Sequence, residues 1–325
     1  LTDAARDARW MGAALALAAR GRGQTAPNPA VGCVIVHDGR VVGRGWTQPG
    51  GRPHAEAMAL EAAGPAARGA TAYVTLEPCA HESPRGPACA DLLAASGIAR
   101  AVIACRDPDP RTDGRGIARL EAAGIATATG IAAREAERAM AGFLMRARHG
   151  RPHVTLKLGL SIDGCIALAS GESRWITGPA ARAHAHLERA RAELILVGRG
   201  TLEADAPKLD VRLPGLAHRS PARAVLGHGA APFGWIAVDR PEAIADTPAL
   251  DVLVEGGAGA AAAFLAADLV DRLLVYRAPI VIGGGRPGIA DIGLVHLEGA
   301  HGRWRLHDQR MLGIDRLEVY ERVRE

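Results

Sequence analysis

The chain has almost no lysine. Of its 39 basic side chains only Lys157 and Lys208 are lysines, and the rest are arginines. A coding bias toward Ala, Arg and Gly accounts for this, so a lysine that persists raises a question. Aromatic residues make up only 3% of the 325 residues, so the cores have to be aliphatic, built on Ala, Val, Leu and Ile. No uncharged apolar run approaches about 18 residues, so no transmembrane helix is expected. Five cysteines are an odd number in a long chain, which argues against a disulfide scaffold and for metal or catalytic use. Asp3 and Asp7 stand where a signal peptide would be positive, so none is expected, and a cytoplasmic protein is the simplest reading.

What is present is a core-forming composition, 48% hydrophobic and 23% charged. The net charge of +4 is mild, and the arginines are interleaved with Asp and Glu as on solvated faces. Neither a nucleic-acid partner nor a membrane partner is expected. At roughly 150 residues per domain, the length suggests two domains.

The first half alternates strands and helices. A helix at about 2–20 leads to a Pro27-Asn28-Pro29 loop, then two apolar runs, Val31 to Val36 and Val41 to Trp46. The Asp38-Gly39 pair between them signals a hairpin. Helices follow near 55–63, 88–96 and 117–123, and a long one over 132–147, with strands near 71–76, 101–105 and 125–129. This reads as an α/β layered domain with a largely parallel sheet. The break at His149-Gly150-Arg151-Pro152 separates a domain over 1–148 from a second α/β domain over 152–325. There strands are expected near 154–160, 194–198, 235–238, 252–255, 272–278 and 315–322, and a helix near 179–190, while 206–235 is poorly periodic.

One constellation in the first half carries chemistry. His54-Ala55-Glu56 opens a helix, Glu77-Pro78-Cys79 ends a strand, and Cys89 begins the next helix. One His and two Cys make a three-ligand Zn²⁺ site with an open fourth position for water. Helix N-termini favour the thiolate form of such ligands. Glu56, two residues past His54 in the first helical turn, can reach that water without ligating the metal and can carry its proton. The pattern approximates the H-x-E and P-C-x-x-C signature of zinc nucleobase deaminases, with nine residues rather than two between the cysteines. Cys33, Cys105 and Cys165 lie in apolar runs and read as core.

These segments resemble the bifunctional riboflavin-biosynthesis deaminase–reductase family. The resemblance rests on Pro27-Asn28-Pro29-Ala30-Val31-Gly32-Cys33-Val34, His54-Ala55-Glu56, Thr75-Leu76-Glu77-Pro78-Cys79-Ala80-His81 and the distant Cys89. It implies a cytidine-deaminase-like three-layer domain and a substrate that is a pyrimidine bearing a ribosylamino 5′-phosphate. Asn28 would hydrogen-bond the base, His81 would lie at the substrate, and Arg85 would meet the phosphate. The loop Glu82-Ser83-Pro84 is one residue longer than the family's usual form.

The second half is similar to the same family's reductase, a dihydrofolate-reductase-like domain that uses NADPH. The matching segments include Leu156-Lys157-Leu158-Gly159, Ser161-Ile162-Asp163-Gly164, Ser170 to Thr177, Gly198 to Arg212 in spaced positions, and Val254-Glu255-Gly256-Gly257. By position the resemblance puts Gly159, Trp175, Thr201, Asp205 and Gly257 on NADPH. It puts Ser173, Arg189, Leu209, Arg212 and Glu255 on the substrate, with the arginines on its phosphate. Lys157 would stand beside the ribose, where hydride reaches C1′. A homo-oligomer, dimer or tetramer, is also implied.

Three departures are visible: Asp205-Ala206-Pro207 where the family often has Asp-Asp-Pro or Asp-Asn-Pro, Asp210 in place of a usual Thr, and a short segment between about 224 and 253. The short segment leaves open a reading in which the deaminase is active and the second domain is degenerate or structural. A nucleic-acid-editing deaminase would call for a short cysteine spacing, stacking aromatics and a basic stripe. A non-enzymatic zinc protein would need a fourth protein ligand, for which His81 is the nearby candidate.

Overall fold

In a computed structural model, which describes residues 2–324 apart from Glu82, the chain divides into two compact units, Leu1–Gly150 and Arg151–Glu325. The readings that touch Leu1 and Glu82 lie outside the described residues.

The first unit runs α1 (Asp3–Ala18), β1 (Gly32–His37), β2 (Arg40–Trp46), α2 (Ala55–Ala63), β3 (Thr71–Leu76), α3 (Cys89–Ser96), β4 (Arg100–Cys105), α4 (Arg115–Ala122), β5 (Ala126–Thr129), α5 (Ala133–Ala139) and α6 (Ala141–His149). Its sheet has the order β2-β1-β3-β4-β5. β1 is antiparallel to both β2 and β3, and only β3-β4-β5 are parallel, so the sheet is mixed rather than largely parallel. The cause is the tight β1–β2 hairpin, whose Asp38 and Gly39 both take positive φ. The single helix expected over 132–147 is two helices that part at Met140. Neither Pro nor Gly marks that break. Met140 is instead buried in the core beside Ala136 and Leu144, so tertiary contacts decide it.

Small residues set the spacing of the layers. Cβ atoms added at Gly43 and Gly45 of β2 would lie 2.1 Å from the Ala59 and Ala55 carbonyl oxygens of α2. Helix α2 therefore rests on the bare backbone of β2, with Ala55, Ala59 and Ala63 buried at the contact. In a chain short of bulky side chains, this replaces interdigitation as the device that fixes a helix on a sheet.

The second unit runs β6 (His153–Leu160), β7 (Cys165–Ala167), α7 (Pro179–Arg189), β8 (Leu194–Gly198), α8 (Arg199–Asp205), β9 (Ala222–Leu226), β10 (Trp235–Val238), β11 (Asp251–Glu255), α9 (Ala258–Ala266), β12 (Arg272–Arg277), β13 (Arg286–Pro287), β14 (Trp304–Leu312) and β15 (Asp315–Arg322). Eight strands form one sheet in the order β10-β9-β8-β11-β6-β12-β15-β14. The first six are parallel to their neighbours, and β15 and β14 are antiparallel. β7 and β13 form a separate antiparallel pair. The core is Leu, Val and Ala with Phe264, as the composition requires.

The short segment lies in this sheet. β9 and β10 are parallel neighbours joined by residues 227–234 without a helix, whereas such crossovers commonly take a dozen or more residues. Both strands are present, the connection between them is short, and Phe233 within it is fully exposed beside the edge strand β10.

Gly45→Ala is predicted to push α2 off β2 and to destabilise the chain by about 1–3 kcal/mol or more. Denaturant unfolding of the two proteins measures it; an unchanged midpoint contradicts close backbone contact.

Candidate functional sites

In the first unit the three candidate ligands come from three different elements. His54 is the residue just before α2, Cys79 follows the end of β3, and Cys89 is the first residue of α3. One ligand atom from each lies within 4.8 Å of the other two. His54 Nδ1 is 3.3 Å from Cys89 Sγ and 3.6 Å from Cys79 Sγ, and the Cys89 N–H donates to Cys79 Sγ at 3.3 Å. The hydrogen bond with the Cys89 side chain, helped by His54 and opposed by burial, pulls the Cys79 thiol down to about 4. Two sulfurs and an imidazole nitrogen converging on one point fit a zinc ion.

Glu56 lies in the first turn of α2 and is 3% exposed. Burial raises its carboxyl above the usual range, and His54 partly offsets this. A carboxyl raised by burial beside a candidate metal site is suited to taking and returning a proton.

Asn28 is brought to the same place. Its amide nitrogen lies 2.9 Å from His54 Nε2 and donates to the Gly51 carbonyl at 3.1 Å, which holds the imidazole with Nδ1 toward the sulfurs. Arg85 stands at the exposed rim and donates to the Gly50 carbonyl at 2.6 Å. His81 is not part of the ligand cluster; its buried Nδ1 has no hydrogen-bond partner among the described residues. A fourth protein ligand, which a closed structural zinc site needs, is thus missing among the described residues.

Two residues beside this site carry no catalytic signal in the sequence. Glu77, two residues before Cys79, is 2% exposed and accepts hydrogen bonds from four backbone N–H groups. Asp107, one of the donors, is itself buried, and burial pushes its carboxyl up to about 7. Glu77 stands in the Glu77-Pro78-Cys79 run, but its contacts, including that with Asp107, span 30 to 40 residues, so nothing local marks what its side chain does.

In the second unit a cleft of about 1200 Å³ opens at the C-terminal ends of β6, β8 and β11. Carboxyl ends of parallel strands are where open α/β sheets bind ligands. Lys157, Gly159, Ser173, Trp175, Arg189, Thr201, Asp205, Leu209, Arg212, Glu255 and Gly257 all line it. Residues as far apart in the chain as Lys157 and Gly257 are thereby brought to one cleft. The shortened segment supplies Leu226 and Gly227 to the lining. Lys208, the other lysine of the chain, also lines it and is exposed there.

The floor of the cleft is a charge triad. Glu255 pairs with Lys157 in the β11–β6 register, and their charged groups are 3.8 Å apart. Arg189 grips both carboxylate oxygens, at 2.7 and 2.8 Å, and donates to the Asp210 carbonyl at 2.9 Å. Burial pushes the Glu255 carboxyl up, but Lys157 and Arg189 outweigh it and hold it at about 2. Three N–H groups of Arg189 are thus engaged within the protein. Arg212 is the more exposed arginine, and its guanidinium lies 3.6 Å from Asp210, so the departure at 210 partly neutralises it.

The walls suit a long polar ligand. The Gly257 N–H donates to Thr201 Oγ1 at 3.0 Å, and a Cβ at Gly257 would crowd that oxygen at 3.2 Å. Gly257 also precedes α9, whose first turn offers free N–H groups. Trp175 is exposed and covered on one face by Arg182, 4.7 Å from the ring centre. Ala206 follows α8 with φ 41, a conformation that Asn adopts more easily than Ala, so the departure there bears on backbone strain.

The comparisons follow this division. Residues 4–105 match the cytidine and deoxycytidylate deaminase zinc-binding region, and residues 152–233 and 239–313 match the RibD C-terminal domain. The riboflavin biosynthesis protein RibD of Escherichia coli is 41% identical over 336 residues, covering 88% of this chain and 91% of that protein. The protein of that name from Mycobacterium tuberculosis is 39% identical, covering 94% and 95%. Among solved structures, RibD of Acinetobacter baumannii aligns with a TM-score of 0.87 at 36% identity, covering 99% of this chain and all of that one. The Thermotoga maritima diaminohydroxyphosphoribosylaminopyrimidine deaminase/5-amino-6-(5-phosphoribosylamino)uracil reductase aligns with a TM-score of 0.89 at 29% identity, covering 98% and 99%.

Because the Glu255 carboxyl is depressed from its usual 4.5 to about 2, its pairing stabilises the fold above about pH 4.5 and is lost as pH falls toward 2. Glu255→Gln is predicted to lower stability at neutral pH by about 3 kcal/mol, since Arg189 is left buried without its carboxylate. It is also predicted to flatten the acid limb between those pH values. Denaturant midpoints across pH measure both effects.

Proposed function

The chain belongs to the RibD family of riboflavin-biosynthesis deaminase–reductases, and from that premise we propose a substrate, a cofactor and residue roles for each unit. The first unit hydrolytically deaminates 2,5-diamino-6-ribosylamino-4(3H)-pyrimidinone 5′-phosphate. The second reduces the ribosyl group of the product to ribityl with NADPH. The observation that carries this reading is the convergence of His54, Cys79 and Cys89 within 4.8 Å, together with a buried Glu56 two residues after His54 in the first turn of α2.

His54, Cys79 and Cys89 would hold Zn²⁺, which supplies a Lewis acid that activates water at neutral pH. Glu56 takes the proton of the attacking water at a carboxylate oxygen, gives it to a ring nitrogen, and returns one to the departing ammonia. Water adds and ammonia leaves, so the step balances without another reactant. Asn28 orients the His54 ring and lies where the base enters. His81 and Arg85 flank the substrate, with Arg85 on its 5′-phosphate.

In the second unit Gly159, Trp175, Thr201, Asp205 and Gly257 would hold NADPH, which supplies a hydride to C1′ of the ribose. Lys157 presents an ammonium to the ribosyl oxygens, held in place by Glu255. Arg212 and Ser173 meet the substrate from the rim. Leu209 packs against it. Arg189 acts through Glu255, consistent with its three internal hydrogen bonds. The reading includes a cytoplasmic homo-oligomer, which the resemblance to the family supports.

Glu56→Gln is expected to keep bound zinc and to lose ammonia release by at least about 10²-fold. Metal content and an ammonia assay check it; a variant that retains turnover overturns the assignment. Lys157→Ala is expected to spare deamination and to stop NADPH oxidation. Loss of both activities would show that Lys157 serves the fold instead.

A further inference from the structure

Glu77 is buried at the end of β3, and its carboxylate ties together residues far apart in sequence. Oε2 accepts from Asp107 N at 3.3 Å and Gly114 N at 3.0 Å, and Oε1 accepts from Gly116 N at 3.0 Å and Ile117 N at 3.2 Å. No arginine or lysine side chain appears among these partners. The charge is met by four backbone dipoles, two of them in the first turn of α4.

The same cluster leaves no slack on the other side. A Cβ added at Gly116 would lie 2.1 Å from the Pro78 carbonyl oxygen and 3.1 Å from Glu77 Cγ. Helix α4 is therefore pressed against the peptide that joins Glu77 to Cys79. Beyond Cys79 the chain is held by the Ala90 N–H, which donates to the Cys79 carbonyl at 3.2 Å, and by the Ala80 N–H, which donates to Thr112 Oγ1 at 3.4 Å. Thr112 belongs to the loop that Glu77 organises, between Asp107 and Gly114. The segment 77–80 is thus clamped from one side by α4 and its preceding loop, and from the other by α3.

We propose that Glu77 is a positioning residue for the metal centre: it fixes the backbone that delivers Cys79 Sγ to His54 and Cys89. Its two oxygens act as a pair, and both must accept. In Glu77→Gln one acceptor becomes an NH₂ group facing two N–H donors, and the loop from 107 to 114 can no longer close on β3. The sulfur would then sit at a different distance from its partners, although the ligand itself is unchanged. The role is separate from the chemistry of Glu56, and it rests on the zinc reading of the site.

The test uses the full chain loaded with Co²⁺ in place of Zn²⁺, whose thiolate charge-transfer and ligand-field bands report the ligand geometry directly. Glu77→Gln is compared with Gly116→Ala, whose added Cβ would crowd the Pro78 carbonyl oxygen at 2.1 Å and Glu77 Oε1 at 3.2 Å and so strains the same joint from the α4 side, and with Asp7→Asn. Asp7 is a buried carboxylate of the same unit that binds Arg100 and Tyr73 away from the metal ligands, and it controls for simple destabilisation. Both Glu77→Gln and Gly116→Ala are expected to shift the cobalt bands and to weaken metal retention against a chelator by about ten- to a hundredfold. Asp7→Asn is expected to change neither. If Glu77→Gln does not fold, Gly116→Ala alone decides. Unshifted bands and unchanged retention in the folded variant overturn the proposal, as does an equal loss in Asp7→Asn. A wild-type chain that takes up no cobalt overturns the zinc reading and the proposal with it.

Discussion

How closely a helix can approach a sheet decides where the first unit's chemistry sits. With few large side chains available, α2 lies on bare glycine backbone at Gly43 and Gly45. That contact fixes the start of the helix, and the start of the helix carries both His54 and Glu56. The strand side follows the same logic. Gly116 lets α4 press on Pro78, and Glu77 secures the joint with four hydrogen bonds. The three candidate ligands are thus placed by backbone contacts, and the proposed catalytic carboxyl of Glu56 inherits that precision.

The second unit solves its problem with charge. A carboxylate buried at the floor of a cleft is costly unless opposite charges meet it. Glu255 is met by Arg189 in a two-point grip and by Lys157 across the neighbouring strand. The arrangement explains why a lysine persists at position 157 in a chain that otherwise uses arginine. A compact ammonium leaves room above it for a ligand, whereas a second planar fork would compete with Arg189 for the same oxygens. The short connection between β9 and β10 begins at the cleft, where Gly227 lines it and accepts a hydrogen bond from Arg199.

Much of this was legible in the residues. His54-x-Glu56 and Cys79 announced the metal site because ligand chemistry demands particular side chains at helix and strand ends. The strand–helix alternation and the break near Gly150 carried the two-unit organisation. The mixed sheet was foreshadowed by Asp38-Gly39, whose hairpin forces antiparallel pairing, although the alternation suggested a parallel sheet. Other features had no local signal. The break at Met140 answers to burial, with neither Pro nor Gly to mark it. β9 hides in a stretch rich in Pro, Gly and His because its exposed and buried residues do not alternate cleanly. Glu77 and Asp107 look like ordinary acids until folding brings distant backbone to them. Arg189 was assigned to a phosphate by position, and only its geometry ties it to Glu255.

The account joins two sites in one chain through one small molecule, and the ratio of their products tests it most directly. Ammonia released and NADPH oxidised should be counted together in a single reaction of the intact wild-type chain with the diaminopyrimidine substrate. One NADPH consumed for each ammonia is the predicted result. Ammonia released with no NADPH consumed, even when the deaminated product is supplied in excess, would contradict it and leave the second unit a structural domain.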